Sequence, residues 1–171
     1  MKTIERRWMD RSTWERGPWD DEPDKVQWPD PTTGLPCLAV RHERGGHWCG
    51  YVGFAPNLLD RIPRSAALFD GDEGDPDLRV HGGITFSAPC REGEEERGVC
   101  HVPEPGEPDP AHWLGFDCAH CYDLQPAQIR WNRDHGFERA EEVYRTLGYV
   151  REQCARLAAQ IHAALNRPEG S

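Results

Sequence analysis

The chain has 171 residues, with 20 Lys and Arg against 30 Asp and Glu, which gives a formal net charge of −10. Hydrophobic residues make up 37% of it, and its 17 Gly and 15 Pro predict a loop-rich fold, whereas its seven Trp argue against general disorder. The length suits one domain with its own core, and the acidic balance excludes the basic footprint that binding to a nucleic-acid polymer requires.

The first segment, residues 1–34, is predicted to be an extended arm before a single domain at 35–171. Its Pro content, as in GPWDDEPDKVQWPDP, is too high for a helix. Four Trp recur among its charged residues: Trp8, Trp14, Trp19 and Trp28. We expect these rings to fill surface grooves of the domain, with stacking of one ring on a ligand as the alternative.

Five short segments downstream predict a small, mostly antiparallel sheet. Apolar and β-branched residues alternate in them, and turn residues separate them. The segments are LPCLAVRH (35–42), HWCGYVGF (47–54), RVHGGITF (79–86), GVCHV (98–102) and HWLGFDC (112–118). The intervening acidic run at 70–77 lacks the spacing of a calcium-binding loop and indicates a solvated loop, and 103–110 is a Pro-rich connector.

The C-terminal segment predicts one long helix over about 137–166. Apolar residues at alternating spacings of three and four form one stripe: Val143, Leu147, Val150, Cys154, Leu157, Ile161 and Leu165. Asn166 and Pro168 supply stop signals. A helix packed on the sheet gives an α+β fold, and the heptad-like spacing leaves homodimer formation through this helix open.

Targeting signals are not evident, so the sequence predicts a cytoplasmic protein without a membrane span. No run approaches 18 apolar residues, and the N-terminus lacks the apolar stretch of a secretory signal. Seven Cys in a reducing compartment predict thiols or metal ligands rather than disulfides. The Cys118–Cys121 pair has the C-x-x-C spacing, but a second knuckle for zinc and the strand–helix alternation of a redox fold are both missing.

Two blocks of the sequence, 80–85 and 113–123, contain the candidate functional residues. If residues 81–85 are extended, His81 and Thr85 share one face with Gly83 between them, which predicts a recess for a small polar ligand. The alternative is a glycine-rich strand packed under another element.

In the second block, Asp117, His120 and Asp123 are each three residues apart, so one helical turn would bring them to one face. Carboxylates and imidazole at that spacing can bind a divalent metal or perform acid–base chemistry. The alternative is that the two Asp cap short helical turns. Several Arg near the helix could also clamp a phosphate: Arg130, Arg133, Arg139, Arg145 and Arg151.

In this order, GPWDDEPDKVQW, GLPCLAVRH, WCGYVG, VHGGITF, CHVPEPGEPD and WLGFDCAH resemble a family of small uncharacterised proteins of bacteriophage and prophage genomes. The resemblance covers about residues 17–126 and the helix around Tyr144 and 149–151. The family pattern includes His81, Gly82, Gly83, Thr85, Trp113, Gly115, Phe116, Asp117, Cys118, His120 and Asp123, but not Cys121. The resemblance implies a phage accessory protein, and by analogy with other small acidic phage proteins we expect it to counter host immunity in the bacterial cytosol.

Three functions are consistent with these observations. The first is sequestration of a small, anionic, nucleotide-like signal. The ligand-binding residues would be His81, Gly82, Gly83, Thr85, Trp113, Asp117, His120 and Asp123. The second is a metal-dependent phosphodiesterase, in which His81, Asp117, His120 and Asp123 hold a divalent ion and the first three are catalytic. The third is an acidic inhibitor that binds a host enzyme.

Overall fold

The computed structural model describes residues 1–62, 78–91, 93–105, 110–137 and 140–167, and it is built on one antiparallel sheet. The strands are β1 (Ile4–Arg6), β2 (Lys25–Pro29), β3 (Pro36–Arg41), β4 (Trp48–Phe54), β5 (Phe86–Pro89) and β6 (His112–Asp117). Their order is β1-β2-β3-β4-β6-β5, and every neighbouring pair is antiparallel. The α+β prediction is confirmed, with six strands in the described residues where the sequence predicted about five.

The arm at residues 1–34 contributes two of these strands. β1 pairs with β2, and β2 pairs along its full length with β3. Trp19 and Trp28 are buried, and the Trp14 ring packs against Gly46, where an added Cβ would lie 2.7 Å from it. Trp28 belongs to the core that α2 covers rather than to a surface groove, so the prediction is wrong for this ring.

Two α-helices follow the sheet in the described residues, α1 (Ile129–Asp134) and α2 (Leu147–Leu165). The apolar stripe of α2 packs on one face of the chain's own sheet, with Val150, Cys154 and Leu157 fully buried. Gly50 of β4 allows this approach, because a Cβ there would lie 2.9 Å from the Cys154 Sγ atom. Pairing of α2 with a second copy of the chain stays a prediction.

The predicted start of this helix at 137 is wrong. α2 begins at Leu147, after Thr146 caps it by accepting a hydrogen bond from the Tyr149 backbone N–H at 3.3 Å. Val143 precedes the helix, pairs with Asp123 in an isolated β-bridge and is half exposed. The predicted end is confirmed, since α2 stops at Leu165 and Asn166 follows as its cap.

Two predicted strands are also wrong. In the segment 79–86, only Phe86 belongs to a strand, because Gly82 and Gly83 take left-handed φ values of +65° and +84° and form a turn. The segment 98–102 is irregular and lies over the sheet face opposite α2, where the buried Lys25 Nζ donates to the Gly98 carbonyl at 2.9 Å. The acidic run at 70–77 and residues 106–109 of the connector lie outside the described residues.

The expectation that the Cys residues are thiols or metal ligands is wrong for one pair. Cys90 and Cys100 form a disulfide, because the end of β5 and the irregular segment bring their Cα atoms to 5.0 Å. The other five cysteines are thiols, namely Cys37, Cys49, Cys118, Cys121 and Cys154, and of these only Cys121 is exposed. None of the described helices has the length and apolar character needed to cross a membrane.

Candidate metal centre

The glycine turn after residue 80 and the loop after β6 bring together His81, His120 and Asp123. One potential ligand atom from each lies within 4.8 Å of the others. The Asp123 N–H donates to the His120 carbonyl at 3.0 Å, which makes the loop a tight turn. Spacing of three residues therefore places His120 and Asp123 together through a turn rather than through the helix that the sequence suggested.

Asp123 is the centre of the cluster, and its side chain is only 1% exposed. Its Oδ2 atom accepts hydrogen bonds from His81 Nε2 at 2.7 Å and from the His120 backbone N–H at 3.1 Å. Its Oδ1 atom accepts from Arg145 Nε at 2.8 Å. Burial alone would raise the pKa of Asp123, but the hydrogen bonds from Arg145 and His81 hold that pKa below its usual value, so the carboxylate is charged.

His81 is oriented by α2. Its Nδ1 atom lies 2.9 Å from the Tyr149 hydroxyl, and its backbone N–H donates to Gln153 Oε1 at 3.1 Å. Burial raises the pKa of Tyr149, so the hydroxyl keeps its proton. With Nε2 donating to Asp123, Nδ1 is the acceptor for that proton, and the ring is fixed as one tautomer.

His120 leaves a polar atom unpaired. Its Nδ1 atom is buried and has no hydrogen-bond partner in the described part of the chain, although it lies 3.6 Å from Asp123 Oδ2 and 3.8 Å from Asp117 Oδ1. Buried polar atoms are rarely left unpaired, so a nitrogen in this position between two carboxylates is suited to a cation.

Gly82 makes room for the His120 ring. A Cβ at Gly82 would lie 1.9 Å from His120 Cε1, whereas a Cβ at Gly83 would meet nothing within 4 Å of it in the described residues. The double glycine therefore has a steric role at its first position, in addition to the backbone conformation that both positions share.

Arg145 adds positive charge at the edge of the cluster. Its Nε atom binds Asp123, and its guanidinium lies 5.1 Å from the Tyr149 ring centroid. Its terminal nitrogens contact no acceptor among the described residues, and its side chain is 27% exposed. Of the five Arg that the sequence singled out, Arg139 lies outside the described residues, and Arg145 is the one among the described four that lies at the cluster.

Not every residue predicted for the site lies there. Trp113 is fully buried in the core on the sheet face opposite α2, and Thr85 lines a separate cavity. Because residues 81–83 form a turn, His81 and Thr85 do not share a strand face. Neither Cys118 nor Cys121 belongs to the cluster.

Sequence reasoning missed two of the supporting residues, Tyr149 and Gln153. They are four residues apart on α2 and therefore point in the same direction, beside the apolar stripe. A polar pair with that spacing next to a buried stripe was the available signal.

The chain is therefore a small α+β protein in which a histidine–carboxylate cluster lies between the loop after β6 and the helix α2. Comparison of the chain with family models, curated proteins and solved structures returned no match.

Proposed function

We propose that the protein is a divalent-metal-dependent hydrolase that cleaves a phosphoester of a small, nucleotide-like substrate. The observation that carries the proposal is the buried, unpartnered Nδ1 atom of His120, 3.6 Å from a carboxylate oxygen of Asp123. His81, His120 and Asp123 supply two nitrogens and one oxygen, a ligand set found in catalytic zinc sites that keep a further position for water.

The surrounding hydrogen bonds suit this assignment. To hold an ion through Nε2, His81 would carry its proton on Nδ1, and Nδ1 would then donate to the Tyr149 oxygen 2.9 Å away. Arg145 keeps the Asp123 carboxylate oriented through its other oxygen. Partners of this kind fix ligand tautomer and orientation in metal sites.

The chemistry follows from the charges. A bound divalent ion lowers the pKa of a coordinated water and polarises a phosphoryl oxygen. Asp117 lies 3.8 Å from His120 Nδ1 and is not one of the three clustered ligands. The terminal nitrogens of Arg145 would bind a phosphate oxygen, because guanidinium groups match phosphate geometry.

The test begins with the metal alone. Chelator-treated protein is titrated with Zn²⁺ and Mn²⁺ by calorimetry, and we expect one ion per chain. His120→Ala should lose this binding, whereas His135→Ala, which changes an exposed His of the α1 terminus, should keep it. Absence of stoichiometric binding, or equal binding by His120→Ala, would contradict the metal centre.

The second step tests cleavage. The metal-loaded protein is incubated with a generic phosphodiester, cyclic dinucleotides and ADP-ribose derivatives, and the products are separated by chromatography. We expect products that require the ion and are lost in His120→Ala. Complete recovery of intact substrates would contradict the hydrolase.

Sequestration without cleavage is the second candidate, and the observation that favours it is a cavity of about 500 Å³ next to the cluster. In that case a ligand would be released intact when the protein is denatured. A role against host defence, and the inhibitor function that the acidic surface suggested, remain predictions from the sequence.

A further inference from the structure

The cavity beside the metal centre has walls of a chemistry different from that of the centre itself. Its volume of about 500 Å³ lies within the range of small-molecule sites. Nine residues line it: His42, His47, Cys49, Tyr51, Thr85, Phe86, Phe116, Asp117 and Ala119. Asp117 belongs to this wall and also lies 3.8 Å from His120 Nδ1, so the cavity and the cluster share one side chain.

Aromatic rings form much of the wall. The Tyr51 and Phe86 rings meet edge to face with centroids 5.1 Å apart, and Phe116 also contributes. Gly115 lets the Tyr51 ring lie against β6, since a Cβ there would lie 2.2 Å from it. Such walls favour a flat ring, because aromatic side chains bind planar ligands through their faces and edges.

Positive charge is missing from this wall. No Lys or Arg is among the lining residues in the described part of the chain. Burial, together with the stacked His42, lowers the pKa of His47 to about 4, so His47 is neutral near pH 7. A phosphate would therefore meet only the negative Asp117 here, and it is better accommodated beside Arg145.

The Asp117 carboxylate can accept a further hydrogen bond. Its Oδ1 atom accepts the Ala119 N–H at 3.0 Å, and its Oδ2 atom accepts no hydrogen bond from the described residues. The Asp117 side chain is 30% exposed, so its carboxylate is accessible to donors from a ligand.

We propose that this cavity binds a guanine-type base: a planar ring whose N–H stands next to an exocyclic amine. Both donors would bind the Asp117 carboxylate, the Thr85 hydroxyl would donate to the ring carbonyl, and Tyr51 and Phe86 would enclose the ring. This proposal adds the identity of the base to the proposed function. It rests on the proposed function only for the binding of the substrate's phosphate at the metal cluster.

The test uses metal-free, full-length protein titrated with guanosine, adenosine and cytidine by calorimetry. Guanosine should bind at least tenfold more tightly than the other two nucleosides. Adenosine and cytidine lack a ring N–H next to an exocyclic amine, so they would leave an oxygen of the Asp117 carboxylate without a hydrogen bond. Equal binding of all three, or no binding of guanosine, would overturn the proposal.

A substitution sharpens the test. Asp117→Asn replaces one carboxylate oxygen with an NH₂ donor, so it should weaken guanosine binding at least tenfold and favour xanthosine, whose 2-carbonyl replaces the amine. A residue that merely supported the fold would not produce this exchange of preference. Unchanged preference in a folded Asp117→Asn protein would overturn the assignment of Asp117.

The two proposals fail separately. Guanosine binding without metal binding would contradict only the hydrolase, and metal binding without guanosine binding would contradict only the cavity. In the metal-loaded parent, guanosine 5′-monophosphate should bind more tightly than guanosine if the phosphate reaches the cluster, and equal affinities would contradict a shared substrate.

Discussion

Glu22 in the N-terminal arm accepts a hydrogen bond from the backbone N–H of Leu147, the first residue of α2, at 2.8 Å. Its other oxygen accepts from Trp48 Nε1 and from Arg41, each at 2.9 Å. One carboxylate thus joins the arm, the sheet and the helix, and it places a negative charge at a helix N-terminus. Because Tyr149 follows two residues later, this contact also sets the position of the helix relative to His81.

Glu22→Gln should destabilise the whole fold. Arg41 is fully buried, and removing the charge of its partner leaves it with Asp24, whose Oδ1 lies 3.6 Å from Arg41 Nε. We expect the free energy of unfolding, measured with urea, to fall by about 3 kcal/mol. The control is Glu15→Gln, which removes an exposed ion pair with Arg133 and should leave the unfolding curve unchanged. If both variants lower the free energy of unfolding equally, Glu22 does not hold the arm, the sheet and α2 together.

The elements that the sequence predicted well are those with a strong local pattern. The apolar stripe of α2 and the alternation in β3, β4 and β6 gave the covering helix and the sheet centre, because burial on one face enforces those periods. The segment 79–86 was predicted incorrectly. Its apolar residues are typical of a strand, but the positive φ values of Gly82 and Gly83 turn the chain there.

The candidate site was predicted only in part, for a physical reason. His120 and Asp123 are close in sequence, so a local turn brings them together, and spacing alone revealed the pair. Arg145 and Tyr149 reach Asp123 and His81 only through the packing of α2 on the sheet, which no local pattern encodes.

Gly82→Ala should abolish metal binding, whereas Gly83→Ala should retain it. Both residues have positive φ, so each substitution should cost about 1–2 kcal/mol of unfolding free energy. Only the Cβ at Gly82 collides with the His120 ring, at 1.9 Å. The measurement is the zinc affinity of each folded variant, and equal affinities would contradict the steric role of Gly82.

Tyr149→Phe should weaken metal binding while leaving the metal ligands in place. The substitution removes the hydroxyl 2.9 Å from His81 Nδ1, and loss of such an outer partner typically reduces metal affinity about 10–100-fold. Tyr122→Phe is the matched control, because Tyr122 is 52% exposed and lies just before the ligand Asp123. If calorimetry gives both variants the parent's affinity, Tyr149 does not support the metal centre.

Protonation of His47 should destabilise the fold below neutral pH. Its pKa is lowered to about 4 by burial and by His42, despite the opposing charges of Asp117 and Asp123, whereas an unfolded His has a pKa of about 6.5. The unfolded state therefore binds more protons between these values, and the unfolding free energy should fall by about 3 kcal/mol as pH drops from 6.5 to 4. His47→Gln should lose this component of the pH profile, and an unchanged profile would assign the effect elsewhere.

Alkylation counted by mass spectrometry should separate three classes of cysteine. In the native protein only Cys121 should react, because it is exposed, whereas burial raises the pKa of Cys37 and Cys49 to about 12 and shields their thiols. Denaturant without reductant should give adducts at the five thiols, and added reductant should label Cys90 and Cys100 as well. Labelling of Cys90 and Cys100 in denaturant alone would contradict the disulfide, and native labelling of Cys37 or Cys154 would show that α2 opens away from the sheet.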